Sequence, residues 1–176
     1  MQIPIPNGCL RLWNPDDLRD LVQIANNPSI SRYLTNRFPS PYTDADAQAW
    51  ITNCVLQATK GRLLSFAIEY KGELVGGIEL MPKSDVHSRT TELGYWLGEP
   101  FWGQGIMPEA VKAICKYGFE TLQFARIQAN VFSPNKGSMR VLEKSGFEHE
   151  GCLRKMVFKN GNFWDAHLYA LINPKY

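Results

Sequence analysis

The segment Trp102-Gly103-Gln104-Gly105-Ile106-Met107 has the spacing most suited to chemistry: two glycines one residue apart, between a strand-like run and a helix-like one. Glycines at such a junction let the backbone approach a ligand closely and leave successive N–H groups pointing outward. Together with the positive end of a helix dipole, these groups make an anion site suited to a phosphate or pyrophosphate. The same pattern also serves as a plain strand-to-helix turn that binds nothing. It is not a Walker loop, since Gly-Lys-Ser/Thr is missing, and not GxGxxG, since Ile106-Met107-Pro108 follows the second glycine. Nucleotide hydrolysis and dinucleotide redox chemistry lose ground accordingly. Glu92 stands on the preceding strand-like run, on the face of Gly94 and Trp96, with Glu79 on the run before it. By position alone Glu92 reads as a solvated strand-end glutamate. Asn135 and Ser138 open a short helix, where Asn135 fits an N-cap and Ser138 a first-turn residue. His87, His149 and His167 are scattered, no cysteine has an obvious base beside it, and Cys115 reads as buried and inert.

These residues need elements to hold them. CLRLW (9–13) reads as a short strand, and Asn14-Pro15-Asp16-Asp17 as the cap, first-position proline and acids of a helix that runs to about Asn26. Residues 28–42 read as a long loop. Thr43 caps a second helix with Asp46 in the third position, and its apolar face is Ala47, Trp50, Ile51, Cys54, Val55 and Ala58, closed by Gly61. The period then falls to two. LLSFAIEY (63–70) and ELVGGIEL (73–80) form a hairpin about Lys71-Gly72, and TELGYWLG (91–98) is a third strand. Pro108 suits the first position of a helix with the stripe Val111, Ile114, Cys115 and Gly118, reaching about Thr121. RIQANVF (126–132) is a strand, a short helix closes at Ser145-Gly146-Phe147, and two strands flank Asn160-Gly161.

The 176 residues, 44% hydrophobic and 20% charged, suit one globular domain over 1–176 with a core of its own. No apolar run reaches the ~20 residues of a membrane span, and MQIPIPNGCLRLW lacks a secretory pattern. Four scattered cysteines without CxxC suggest neither a zinc ribbon nor a disulfide scaffold. The expectation is a reduced, cytoplasmic protein, monomer or homodimer, with no metal and no membrane. A net charge of +2 leaves no footprint of a nucleic-acid partner. The order of elements is that of an α/β (α+β) domain with a mixed, mostly antiparallel sheet flanked by helices.

Taken together, ELGYWLGEPFWGQGIMPEAV and ANVFSPNKGSMRVLEKSGF resemble the GNAT superfamily of N-acetyltransferases, most closely its RimJ/RimL-like branch. The agreement covers about residues 60–172. The resemblance implies splayed central strands and acetyl-CoA as donor, its pyrophosphate held by backbone N–H groups of Gly103, Gln104, Gly105, Ile106 and Met107. Trp102 and Met107 stand where the superfamily often has Gln or Arg and Gly or Ala; Met107 is bulky enough to crowd the phosphates, but binding is expected to survive because the contacts are mainly backbone. The resemblance further implies an oxyanion donor at the Leu97 amide, a carboxylate base at Glu92 with Glu79 as its competitor, and Ser138 as hydrogen-bond donor to the departing thiolate. Asn135 then meets the pantetheine arm or substrate. The implied acceptor is a primary amine, on a protein N-terminus or a small molecule, attacked directly in a ternary complex. Arg32 and Arg37 suit a carboxylate on a peptide or amino-acid acceptor. Asp165 and Tyr169 match recurrent positions of the branch but suit structural hydrogen bonds, and Trp50, Trp96, Trp102 and Trp164 pack the core or line the acceptor cleft. A reading from another class is a non-catalytic CoA-binding sensor or assembly module on the same fold.

Overall fold

A computed structural model describes residues 1–62 and 64–176. Among the described residues, eight strands form one sheet in the order β1-β2-β3-β4-β5-β6-β8-β7. The strands are β1 (Gln2–Ile5), β2 (Gly8–Arg11), β3 (Ser65–Tyr70), β4 (Glu73–Pro82), β5 (Thr90–Leu97), β6 (Arg126–Phe132), β7 (Glu148–Lys159) and β8 (Asn162–Ile172). The helices are α1 (Leu18–Ala25), α2 (Pro28–Ser31), α3 (Asp44–Thr59), α4 (Ile106–Glu120) and α5 (Lys136–Lys144). No described helix is long and apolar enough to cross a membrane. By contacts the chain divides into two units, Met1–Glu79 with Tyr95–Ile114, and Leu80–Gly94 with Cys115–Tyr176.

In the first unit β1 and β2 form a hairpin through Asn7, whose φ of 60° belongs to the left-handed region. The sequence reading missed β1 because Pro4 and Pro6 argue against a strand; proline is tolerated here since β1 is an edge strand. The Asn14 capping box is present, with Asn14 N–H donating to Asp17 Oδ2 at 2.8 Å, but Pro15–Asp17 is a 3-10 turn leading into α1. Arg11 donates to both Asp17 oxygens and to Glu69, tying β2 to that turn and to β3. The expected loop at 28–42 begins with α2, because Asn27 caps a new turn by accepting from Ser29 N–H. α3 matches its expected start, with the Thr43–Asp46 capping box. The Lys71-Gly72 hairpin carries φ of 52° and 83°, as a primed turn requires. Of the strand expected over 63–70, Leu63 lies outside the described residues and β3 begins at Ser65. Trp13, Leu21, Tyr42, Ile51, Ala67 and Leu74 form the core, with Phe38, Trp50 and Trp96 packed against it.

The second unit is built on β6 and the β7–β8 hairpin. Asn160 and Gly161 carry φ of 49° and 76°, and β8 pairs antiparallel with both neighbours. α5 ends in a Schellman motif: Phe147 N–H donates to Leu142 O, Gly146 N–H to Glu143 O, and Gly146 has φ of 88°. A Cβ at Gly118 would come within 3.1 Å of Leu80 and Ile127, so glycine there lets α4 lie close to the strands of this unit. β5 pairs in parallel with β6 at Thr90–Arg126, Thr91–Ile127 and Glu92–Gln128, and the register ends there while β6 continues to Phe132.

Candidate active site

In the first unit, β5 hands over to α4 through a turn held by both local bonds and bonds to β4 and to the end of α1. Gly98 N–H donates to Val75 O at 2.8 Å, and a Cβ at Gly98 would sit 2.4 Å from Ile24 Cδ1, so the turn starts hard against α1. A 3-10 turn follows (Glu99–Phe101), with Glu99 held by Asn27 Nδ2 at 2.6 Å. The Trp102 indole N–H donates to Leu97 O at 2.7 Å and Gln104 Nε2 to Pro100 O at 3.0 Å. Gly103 and Gly105 then take φ of 76° and 78° with open space where a Cβ would be. Glycine is required here by backbone conformation, not by crowding. Left-handed residues alternating in this way direct neighbouring N–H groups into a concavity for an anion. Ile106 and Met107 open α4, where the first N–H groups have no partner within the helix.

Two expectations about this turn need correction. Pro108 is the third residue of α4, not the first; it is tolerated because first-turn positions need no N–H. Met107 is only 5% exposed and continues the stripe of Val111 and Ile114. Its thioether therefore belongs to the core and does not crowd the turn. The spacing 107, 111, 114 carried that signal in the sequence.

Because Gly98 N–H points to β4, the N–H of Leu97 points to the opposite edge of β5, as alternate residues of a strand do. Leu97 C=O is turned the same way and takes the Trp102 bond. Trp96 lies over Gly77, where a Cβ would be 2.8 Å from the indole nitrogen, and Phe38 meets it edge-on at 5.4 Å. Glu79, two residues on from Gly77, faces the same side, opposite Ser65. Burial pushes the Glu79 carboxyl up from its ordinary value, and the charge of Arg37 partly opposes this. Cys54 beside Ser65 is pushed up to about 11, again by burial first, so its thiol stays protonated. Arg32 lies over the Tyr33 ring at 4.5 Å. Neither arginine expected to meet an acceptor carboxylate therefore stands clear of neighbours.

The second unit holds Glu92, Asn135 and Ser138. Glu92 Oε1 accepts from Asn130 Nδ2 at 3.1 Å and Oε2 faces Lys83 Nζ at 3.4 Å. Sequence reasoning missed both partners. Asn135 caps α5, its Oδ1 accepting from Ser138 N–H at 3.1 Å, so the capping expectation holds and Ser138 is fixed in the first turn. Asp165 accepts from Lys155 N–H and Tyr169 OH donates to Glu143, both structural roles. His149 and His167 are not scattered: their ring nitrogens meet at 3.0 Å. Trp164 packs against Phe132 and Trp50 against Trp13, while Trp102 is 42% exposed. Burial raises the Cys115 thiol to about 12, in keeping with an inert core residue. Among the described residues no group of three or more His, Cys, Asp or Glu is placed to hold a metal ion.

A family profile described as "Acetyltransferase (GNAT) domain" matches residues 8–148. "Probable N-acetyltransferase YjcK" of Bacillus subtilis (strain 168) is 43% identical over 155 residues, covering 87% of this chain and 86% of the relative. Spermidine N(1)-acetyltransferase of Escherichia coli (strain K12) is 28% identical, covering 95% of this chain and 87% of the relative. Among solved structures, RimL, a ribosomal L7/L12 alpha-N-protein acetyltransferase in complex with coenzyme A, superposes with a TM-score of 0.85 at 22% identity and 98% coverage of both chains. At that identity the likeness is one of fold.

Proposed function

The chain belongs to the GNAT acetyltransferase family and is an acetyl-CoA-dependent acyltransferase; from that premise we propose that its acceptor is a primary amine, attacked directly in a ternary complex. The observation that carries this reading is the turn before α4. Gly103 and Gly105 hold left-handed conformations beside a helix N-terminus, a fit for the diphosphate of acetyl-CoA through the backbone from Gly103 to Met107. Acetyl-CoA supplies an acetyl group activated as a thioester. Leu97 N–H, on the strand edge away from β4, is suited to donate to the thioester oxygen.

Glu92 is the proposed base that relieves the attacking amine of its proton, supported by a carboxylate already oriented by Asn130 and Lys83. Ser138 is the proposed hydrogen-bond donor to the departing sulfur, with Asn135 as the residue that fixes its place on α5. A hydroxyl is a weak acid, so a hydrogen bond suffices in place of full transfer. A second reading gives the base role to Glu79, favoured by the burial that raises its affinity for a proton.

The relatives suggest two acceptor types, a protein N-terminus and a small amine such as spermidine. Incubation with acetyl-CoA and a panel of N-terminal peptides, polyamines, amino acids and aminoglycosides, read by thiol release, tests the reading. Release that depends on one class of amine is expected. No amine-dependent release from any member would overturn it.

A further inference from the structure

Asn130 lies on the same face of β6 as Arg126 and Gln128, and points its Nδ2 at Glu92. The orientation of the amide follows from the chemistry of its neighbour, since Oδ1 turned toward a carboxylate would set two acceptors against each other. With Nδ2 so committed, Asn130 Oδ1 is buried and has no hydrogen-bond partner among the described residues. A buried carbonyl oxygen without a donor destabilises a fold, whereas an apolar side chain of similar shape carries no such penalty. The Glu92 carboxylate does not depend on Asn130 for satisfaction: its other oxygen faces Lys83, and its side chain is 31% exposed, within reach of water. What an amide supplies here, and an apolar side chain does not, is a donor aimed at one oxygen of Glu92.

Resting on the acetyltransferase reading above, we propose that Asn130 is a positioning residue that fixes the Glu92 carboxylate for the acceptor amine. It touches neither reactant and acts through Glu92 alone. The sheet assists, because Glu92 and Gln128 are register partners at the last pair of the parallel ladder and Asn130 stands two residues further on. The Asn130 hydrogen bond fixes one oxygen of the carboxylate, and the longer Lys83 contact follows the other. Residues that place a reacting group influence rate steeply, and a misplacement of about 1 Å can cost roughly a hundredfold.

The test is Asn130→Leu in the full chain, alone and combined with Glu92→Gln. Asn130→Leu should leave Tm unchanged or raise it, lower kcat by about ten- to a hundredfold, and leave KM for acetyl-CoA as it was. In the Glu92→Gln background it should lower kcat no further, because the residue it serves has already lost its function. Asn130→Asp keeps the shape but sets a second carboxylate against Glu92; it should lower both kcat and Tm. A normal kcat in Asn130→Leu overturns the proposal, as does a fall in Tm with that variant or a loss that multiplies with that of Glu92→Gln. A wild-type protein that acetylates no amine overturns the function reading and this role with it, whereas an active wild type with an unaffected Asn130→Leu overturns this role alone.

Discussion

Glu79 and Glu92 are both glutamates on strands of one sheet, yet their surroundings treat them in opposite ways. Glu79 sits on the Trp96 and Phe38 side of β4, where burial raises its affinity for a proton and the Arg37 charge opposes this. Glu92 is held by an amide on one oxygen and an ammonium on the other, and stays a third exposed. Burial raises a carboxyl's hold on its proton, whereas a hydrogen bond also fixes where the group points. A base for an incoming amine has to be reachable and aimed, and that favours Glu92. The observation on the side of Glu79 is the burial that raises its hold on a proton.

The comparison can be broken by substitution. The largest expected effect is from Glu92→Gln, which should lower kcat by roughly 10² to 10⁴, the usual contribution of a positioned base. KM for acetyl-CoA should not change. Gly105→Ala leaves both carboxylates untouched and separates donor binding from proton transfer. Forcing a Cβ into the left-handed region costs about 1–2 kcal/mol, so KM for acetyl-CoA should rise roughly tenfold at a nearly constant kcat, as initial rates over acetyl-CoA concentration would read.

Glu79→Gln sharpens the other side. A carboxyl whose proton affinity is raised in the folded protein adds stability below its unfolded value, and that stability is lost as pH rises through its folded value. The wild type should therefore lose Tm between mildly acidic and neutral pH more steeply than Glu79→Gln, as paired thermal melts would show. The smallest effect belongs to Lys83→Met. Its pair with Glu92 is about a third exposed and 3.4 Å long, so kcat should fall only about two- to threefold while Asn130 remains.

Much of the fold was legible because its signals are local. Thr43 with Asp46, Lys71-Gly72, Asn160-Gly161 and the Gly146-Phe147 close each declare themselves within a few residues. Others were legible and overlooked: Asn7-Gly8 announced the hairpin of β1, and the spacing of Met107 from Val111 announced its burial. The His149–His167 contact was out of reach. It depends on irregularities in β7 near Leu153 and His149 that shift the register set by Asn160-Gly161. The partners of Glu92 were hidden for a similar reason. Asn130 reaches it across a parallel pairing from 38 residues away, and no local pattern records such a contact. The turn was readable as a turn, but only its dihedral angles set Gly103 and Gly105 apart from glycines chosen for space.

The most direct test is the pH dependence of kcat for the wild type, Glu92→Gln and Glu79→Gln, measured at saturating acetyl-CoA with an amine the wild type accepts. Glu92→Gln should lower the rate across the whole profile by roughly 10² to 10⁴, while Glu79→Gln keeps a rate within about threefold of the wild type. A rate that collapses in Glu79→Gln and survives in Glu92→Gln would contradict the account and give the proton to Glu79.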